Sequence, residues 1–304
     1  MADDVTFDGK VAIVTGAGGG LGRSHALLFA ERGARVVVND LGGSTDGSGA
    51  SDSPADLVVK EILDAGGEAV ANHDSVATPE GGQAIVDTAV EAFGTVDIVV
   101  NNAGFLRDQS FAKMTADNIN AIVDVHLKGA FFVSRPAFAV MKEKGYGRFI
   151  HTTSGAGLFG NFGQANYAGA KMGLVGLSSV IAIEGQRSNI NSNVIAPLAR
   201  TRLTEELMGP LAEFVAPEQV SGLVAYLASE GCDLSHEVYS VGGGRIARVF
   251  VGLCNGWLAG KGVAPTPEDV IDHLDQIRDT DGFAIPFMAT EEMITLGPLL
   301  RGED

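Results

Sequence analysis

Three side chains in the middle of the chain have the types and spacing needed to move a proton to or from an alcohol. Tyr167 and Lys171 are four residues apart, and Ser154 lies thirteen residues before the tyrosine. On a helix, positions i and i+4 share one face, so the Lys171 ammonium can lie beside the Tyr167 phenol. A free phenol, with a pKa near ~10, is a poor base at neutral pH, and a neighbouring cation favours the phenolate. The pattern predicts Tyr167 as an acid–base group whose pKa is lowered by Lys171, and Ser154 as the group that orients a substrate oxygen.

A second motif near the N-terminus supplies the context that this spacing needs, because a Tyr-x-x-x-Lys pair alone is more typical of a solvated helix face. The apolar run Val11–Val14 is followed by a glycine-rich loop and then by a helical pattern that stops at Gly33. This order predicts a dinucleotide site, since glycines let backbone N–H groups approach a pyrophosphate and the helix N-terminus is positive. The predicted contacts in the loop are Gly16, Gly20, Leu21 and Gly22.

An acidic residue follows the second strand pattern. The run Arg35–Asn39 ends at Asp40, eighteen residues after Gly22. A carboxylate at this distance from the glycine loop can accept hydrogen bonds from the ribose diol of an adenosine. Asp40 therefore favours a ligand with the pyrophosphate and free ribose hydroxyls of NAD.

Taken together, these motifs resemble those of the short-chain dehydrogenase/reductase family. The chain has the family's TGxxxGxG pattern at residues 15–22, its Asn-Asn-Ala-Gly motif at residues 101–104, and its Ser and Tyr-x-x-x-Lys at Ser154, Tyr167 and Lys171. The resemblance implies an NAD-dependent dehydrogenase in which Lys171 also binds the nicotinamide ribose. The further cofactor contacts that it implies are Asp74, Ser75, Val76, Asn102, Ala103, Gly104, Tyr167, Lys171, Pro197 and Thr201.

Within the family, the chain resembles the dehydrogenase unit of multifunctional β-oxidation proteins, over residues 7–279. The segments that carry this are 38–43, 161–167 and 182–185. The resemblance implies NAD-dependent oxidation of a 3-hydroxyacyl-CoA, with a sterol side chain as one version of the acyl group. Two alternatives stay open: a 17β-hydroxysteroid dehydrogenase acting on free steroids, and a non-catalytic NAD-binding scaffold subunit. The intact Ser154, Tyr167 and Lys171 argue against the scaffold.

Two positions depart from the wider family. His126 stands where most members have the asparagine of a catalytic tetrad, as it does in the multifunctional branch. This histidine could hold a water that relays protons to Lys171, or it could be a packed, hydrogen-bonded core residue. The family's Pro-Gly pair is Pro197-Leu198 here, so we expect a different shape for the loop 197–204.

The charge and composition of the chain limit the classes of partner and ligand that we expect it to bind. The chain of 304 residues has a formal charge of −17, which disfavours nucleic acid and anionic membranes as partners. A CoA substrate would then need a local basic patch, for which the candidates are Arg107, Arg202, Arg245 and Arg248. The two cysteines give neither a disulfide framework nor a metal-ligand spacing, so no metal is expected. No membrane span is expected either, since no run of 18 or more apolar residues occurs.

Strand-like and helical runs alternate along the chain, which predicts an α/β fold: a Rossmann-type doubly wound parallel sheet with helices on both faces. We expect residues 1–245 to form the dinucleotide-binding and catalytic domain and residues 246–304 to form a helical extension packed on it. The apolar run 172–183 after the Tyr167 motif predicts a homo-oligomer, either a dimer or a tetramer. The chain ends lack a signal peptide and a peroxisomal address, so the expected location is cytoplasmic.

Overall fold

A computed structural model of the chain describes residues 4–43, 49, 53–200 and 209–301. It divides into two compact units, Met1–Arg248 and Val249–Asp304. The first unit holds the large sheet and the candidate site residues, apart from Thr201, which lies outside the described residues. The division falls three residues after the predicted domain boundary, and the packing of the extension on the first unit stays a prediction.

The first unit is built on an eight-stranded sheet with the order β3-β2-β1-β4-β5-β6-β7-β8. Its strands pair in parallel from β3 to β7. The strands are β1 Val11–Thr15, β2 Arg35–Asn39, β3 Glu68–Asn72, β4 Ile98–Asn101, β5 Gly147–Thr152, β6 Ile190–Pro197, β7 Val238–Gly242 and β8 Arg245–Val249. The predicted α/β fold with a doubly wound parallel sheet is confirmed.

Helices connect the strands and cover both faces of the sheet. They are α1 Gly20–Glu31, α2 Ser53–Asp64, α3 Pro79–Phe93, α4 Ala116–Val123, α5 Gly129–Lys144, α6 Gly155–Phe159, α7 Ala165–Gly185 and α8 Glu218–Ala228. A π-helical turn, Asp124–Lys128, joins α4 to α5, and short 3-10 turns occupy Phe111–Lys113, Gln186–Ser188 and Gly209–Phe214.

Side-chain alternation in β1 explains the two hydrophobic layers. Successive strand residues point to opposite faces of a sheet. Ala12 and Val14 accordingly pack in the layer that includes residues of α1, α2 and α8. Val11 and Ile13 pack in the layer that includes residues of α3, α5 and α7. A strand buried on both faces needs an uninterrupted apolar run, which is what β1 has.

The strand order reverses its direction between β1 and β4, and in doubly wound sheets ligands bind at the carboxyl ends of the strands beside such a point. The glycine loop follows β1, and the Asn-Asn-Ala-Gly motif occupies the end of β4 and the residues after it. The fold thus brings two motifs that are about eighty residues apart to the same edge of the sheet.

The second unit contains a short antiparallel pair, β9 Leu253–Cys254 and β10 Phe283–Ala284. Its helices are α9 Pro267–Asp272, α10 Leu274–Ile277 and α11 Ala289–Arg301. Thr266 and Asp269 form a capping box at the start of α9.

One helix among the described residues, Ala165–Ser188, is long and apolar enough by length and composition alone to cross a membrane. Core helices can meet the same criteria. This helix carries Tyr167 and Lys171, and its Leu174, Leu177 and Ile181 are buried in the core layer that also contains Phe149 of β5 and Ile190 of β6. We therefore assign it to the core of the first unit.

Candidate active site

The glycine loop forms the floor of a cavity of about 290 Å³ at the carboxyl edge of the sheet. Gly16 and Gly20 have positive φ angles of 64° and 53°, a backbone conformation that favours glycine. A Cβ atom at Gly16 would lie 2.7 Å from the Cα of Ala103, and one at Gly22 would lie 2.2 Å from the carbonyl oxygen of Gly16. These positions require glycine because backbone segments approach one another closely there.

The motif after β4 is tied to the end of β1. The Thr15 hydroxyl accepts hydrogen bonds from the backbone N–H groups of Asn102 and Ala103, each at 3.1 Å. The Asn102 side chain donates to the carbonyls of Thr15 and Gly16 at 3.0 and 3.2 Å. Asn102, Ala103 and Gly104 all line the cavity. The Asn102 amide thus braces the glycine loop, which is a more specific role than the predicted cofactor contact.

Asp40 lies at the end of β2, and both of its carboxylate oxygens are held by the backbone. Oδ2 accepts from the N–H of Gly18 at 2.8 Å, and Oδ1 accepts from the N–H of Gly42 at 2.7 Å. Each oxygen keeps a further lone pair for a ligand. The residue lines the same cavity as the glycine loop, at the position predicted for a ribose-binding carboxylate.

Asp74, Ser75 and Val76 line the same cavity. Asp74 is fixed by a polar network that the sequence did not reveal. Asn39 donates to the side chain of Asn72 at 2.8 Å, and Asn72 in turn donates to Oδ2 of Asp74 at 2.8 Å. The two asparagines end adjacent strands and are nearly fully buried.

These features fit an adenine dinucleotide. The glycine loop is free of side chains, α1 starts at Gly20 with its N–H groups available, and Asp40 presents a fixed carboxylate.

Ser154, Tyr167 and Lys171 meet at the other end of the cavity. Ser154 caps the N-terminus of α6, with its hydroxyl oxygen accepting from the N–H of Ala156 at 3.1 Å. The Lys171 Nζ donates to the carbonyl oxygen of Thr152 at 2.6 Å and lies 5.6 Å from the centre of the Tyr167 ring. The three groups are therefore brought together as the spacing predicts.

The proton affinity of Tyr167 differs from the expectation. Burial raises the pKa of the phenol, a hydrogen bond with Ser154 lowers it, and the negative charge of Asp108 raises it. Burial also lowers the pKa of Lys171 to about 7. Both groups are withdrawn from water, and desolvation penalises the charged form of each.

His126 lies on the π-helical turn, a kind of irregularity that occurs often at functional sites. Its Nε2 lies 3.1 Å from the N–H nitrogen and 2.8 Å from the carbonyl oxygen of Phe105. Its ring packs edge-on against Tyr167, with centroids 5.2 Å apart. A Cβ atom at Gly104 would lie 2.2 Å from this ring, so the glycine makes room for the histidine.

The second ring nitrogen of His126, Nδ1, does not decide between a water-relay role and the role of a packed core residue. Nδ1 is buried and has no hydrogen-bond partner among the described residues. Burial, followed by the charge of Lys171, lowers the pKa of His126 well below its usual range. The histidine is therefore neutral, packed through Nε2 and able to offer Nδ1 to a water. Both roles left open by the sequence are compatible with this geometry.

Several residues of the site were not predicted. His151, next to Thr152 in β5, is fully buried, and burial together with Lys171 lowers its pKa to about 3. Phe105, Leu106, Leu41 and Thr153 line the cavity and were not predicted either, whereas His151 does not line it. The available signal was positional, since these four residues lie within two positions of Gly104, Asp40 or Ser154. Pro197 ends β6 and lines the cavity as predicted, whereas the loop that follows it is described only as far as residue 200.

Comparisons with known proteins agree with this geometry. Residues 10–208 match the family described as short chain dehydrogenase. The chain is 48% identical over 92% of its length to the peroxisomal hydratase-dehydrogenase-epimerase of Saccharomyces cerevisiae, of which it covers 31%. It is 37% identical over 80% of its length to a hydroxyacyl-CoA dehydrogenase of Mycobacterium tuberculosis, covering 80% of that protein.

A solved structure, the full-length peroxisomal multifunctional enzyme type 2 of Drosophila melanogaster, superimposes with a TM-score of 0.82 at 38% identity. The match covers 98% of this chain and 50% of that one. The chain therefore spans about a third of the length of the yeast relative and half of the fly chain.

Proposed function

The chain belongs to the short-chain dehydrogenase/reductase family, and from this premise we propose that it oxidises the hydroxyl group of a 3-hydroxyacyl-CoA to a ketone with NAD. The observation that carries the proposal is the convergence of Ser154, Tyr167 and Lys171 with the glycine loop and Asp40 in one cavity. The names of two relatives, a hydratase-dehydrogenase-epimerase and a hydroxyacyl-CoA dehydrogenase, support this choice of substrate class.

Each catalytic side chain has a distinct task in this proposal. NAD, when bound, supplies the acceptor for the hydride. Ser154 donates a hydrogen bond to the substrate oxygen and holds it next to Tyr167. Tyr167 takes the hydroxyl proton in oxidation and returns it in reduction. Lys171, held by the Thr152 carbonyl, favours the phenolate when it is protonated, and it contacts the nicotinamide ribose.

The choice of NAD over NADP rests on Asp40. A carboxylate accepts hydrogen bonds from ribose hydroxyls but repels a 2′-phosphate. Gly19 and Leu41, the neighbours that line the cavity there, supply no positive charge. We expect kcat/KM to be at least tenfold higher with NAD than with NADP in a steady-state assay. Comparable values with the two cofactors would contradict this assignment.

Large exposed aromatic side chains favour a bulky apolar acyl group. Phe111, Phe159, Phe162 and Phe214 are between 68% and 89% exposed, and each lies on a segment that follows the carboxyl end of β4, β5 or β6. Exposed apolar side chains that form a contiguous patch commonly mark a binding site, and we propose that these four act together in this way. A steroid carried by the thioester could cover such residues, and each well-buried methylene contributes about 0.8 kcal/mol.

The test compares three substrates in a spectrophotometric assay of NADH formation: a short 3-hydroxyacyl-CoA, a steroid side-chain 3-hydroxyacyl-CoA, and a free 17β-hydroxysteroid. We expect the steroid thioester to have the highest kcat/KM. A higher value for the free steroid would overturn the CoA assignment. A higher value for the short thioester would remove only the steroid refinement, and no NADH with any of them would favour a scaffold.

We also propose that the protein works as a homo-oligomer. Met172 and Val180 on α7 and Phe131 on α5 are each more than 40% exposed, although large apolar side chains on helices of a single copy are usually buried. Pairing of this face with a second copy would cover them. Light scattering at micromolar concentration checks this proposal, and a monomer would contradict it.

A further inference from the structure

Two segments that flank the cavity are joined by a polar clamp, which we define as residues 107–109 on one side and 163–166 on the other. The first segment follows β4, and the second leads directly into Tyr167 on α7. Gln164 Nε2 donates to Oδ2 of Asp108 at 2.8 Å, and the N–H of Gln109 donates to the carbonyl oxygen of Gly163 at 2.8 Å. With the Asn166 bond to the carbonyl oxygen of Arg107, three hydrogen bonds join the segments only a few residues before the tyrosine.

Each side-chain nitrogen and oxygen of the buried clamp residues Gln164 and Asn166 has a hydrogen-bond partner, which fixes the orientation of these side chains. Gln164 is 4% exposed, and its oxygen accepts from the side chain of Asn161 at 2.9 Å while its nitrogen serves Asp108. Asn166 is 5% exposed, and its nitrogen donates to the carbonyl oxygens of Arg107 and Asn118 at 3.2 and 3.1 Å. A buried polar side chain with every partner in place rigidifies its surroundings.

The clamp also restrains the backbone of Tyr167. The side-chain oxygen of Asn166 accepts from the N–H of Tyr167 at 2.8 Å, so the first turn of α7 is attached to the clamp. A displacement of about 1 Å at a reacting group can cost on the order of a hundredfold in rate. Rigid attachment of this turn therefore matters for holding the phenol next to Ser154.

The clamp also brings a charge to the site. The titratable groups that face the Tyr167 side chain are Lys171 on the same helix, His126 on the π-helical turn, and Asp108 on the segment after β4. The Ser154 hydroxyl completes these surroundings. Asp108 is the acidic member of this group, and its charge raises the pKa of Tyr167.

We propose that Asp108 and Gln164 are positioning residues, which together hold Tyr167 in place next to Ser154. Asp108 contributes through its charge and its hydrogen bond, and Gln164 through the hydrogen bond alone. The inference rests on the proposed function only in requiring that Tyr167 carries the proton of an alcohol oxidation.

The charge is tested by Asp108→Asn, which keeps an oxygen that can accept from Gln164. The chain has only 4 tyrosines, so the contribution of one of them can be resolved. Subtracting the alkaline titration of Tyr167→Phe from that of the parent protein isolates the phenolate absorbance of Tyr167. We expect the midpoint of Tyr167 ionisation to move to lower pH in Asp108→Asn. Glu91→Gln is the control, because it removes an equal charge from the exposed side of α3. It should leave the midpoint unchanged.

The hydrogen bond is tested by Gln164→Leu, which we expect to lower kcat by about tenfold or more, with the Kd for NAD unchanged. An unchanged midpoint in Asp108→Asn would overturn the charge role, and kcat within twofold of the parent in Gln164→Leu would overturn the positioning role. Because the titration needs no substrate, a shifted midpoint in a protein that oxidises no alcohol would refute the proposed function and leave the charge role intact.

Discussion

The structure predicts that a single methyl group at Gly18 weakens NAD binding through Asp40. Gly18 does not have a positive φ angle, so alanine can adopt its backbone conformation without strain. A Cβ atom there would nevertheless lie 2.8 Å from Oδ2 of Asp40 and 2.6 Å from the Cβ of Pro54. The N–H of the same residue holds that carboxylate at 2.8 Å. The carboxylate must therefore move when the methyl group is added.

The expected size follows from the hydrogen bond that Asp40 is proposed to make with the ribose. A hydrogen bond to a charged group contributes about 1.5–3 kcal/mol, and each ~1.4 kcal/mol is a tenfold change in affinity. Gly18→Ala should therefore raise the Kd for NAD by roughly 10- to 150-fold. Isothermal titration calorimetry measures this directly, and circular dichroism checks that the fold is retained.

Gly222→Ala provides the matched control for this experiment. Gly222 lies on the exposed side of α8, and a Cβ atom there would meet nothing within 4 Å. Alanine should stabilise this helix by about 0.5–1 kcal/mol and leave the Kd for NAD unchanged. The reasoning is refuted if a folded Gly18→Ala protein binds NAD as tightly as Gly222→Ala does.

Three further outcomes follow from the geometry. Tyr167→Phe should lower kcat by about 10²–10⁴-fold while NAD still binds in calorimetry, and near-normal turnover would eliminate Tyr167 as the proton carrier. Arg148→Met should lower the free energy of unfolding by about 1.5–3 kcal/mol, because it removes the hydrogen bonds that the buried guanidinium donates to the carbonyl oxygens of Ser229 and Asn189. Thermal melts check this, and an unchanged Tm would contradict it. Burial lowers the pKa of Lys171 to about 7 from an ordinary 10.5, so the unfolded chain binds more protons between these pH values and stability rises with pH. Lys171→Met should remove this gain. The Tm of the variant minus the Tm of the parent should therefore increase as the pH falls from about 9.5 to 7. A Tm difference that does not vary with pH would show that the amine is not desolvated.

The local sequence determined much of the fold. The second strand begins and ends at the predicted residues, Arg35 and Asn39, and the first begins at the predicted Val11. The glycine loop was also predictable, since its positive φ angles and close backbone contacts leave few other residue types possible. The pairing of Tyr167 with Lys171 followed from helix geometry alone. The role of Asp40 was predicted from its position, eighteen residues after Gly22.

Only the tertiary structure decided the electrostatics and the support of the site. The pKa of Tyr167 is raised chiefly by burial, which depends on the packing of distant segments and not on the neighbouring lysine that the sequence reveals. The network of Asn39, Asn72 and Asp74 joins positions more than thirty residues apart, and the hydrogen bond between Asp108 and Gln164 joins positions 56 residues apart. Such contacts leave no periodic pattern in a sequence, because they depend on which strand ends the fold places side by side.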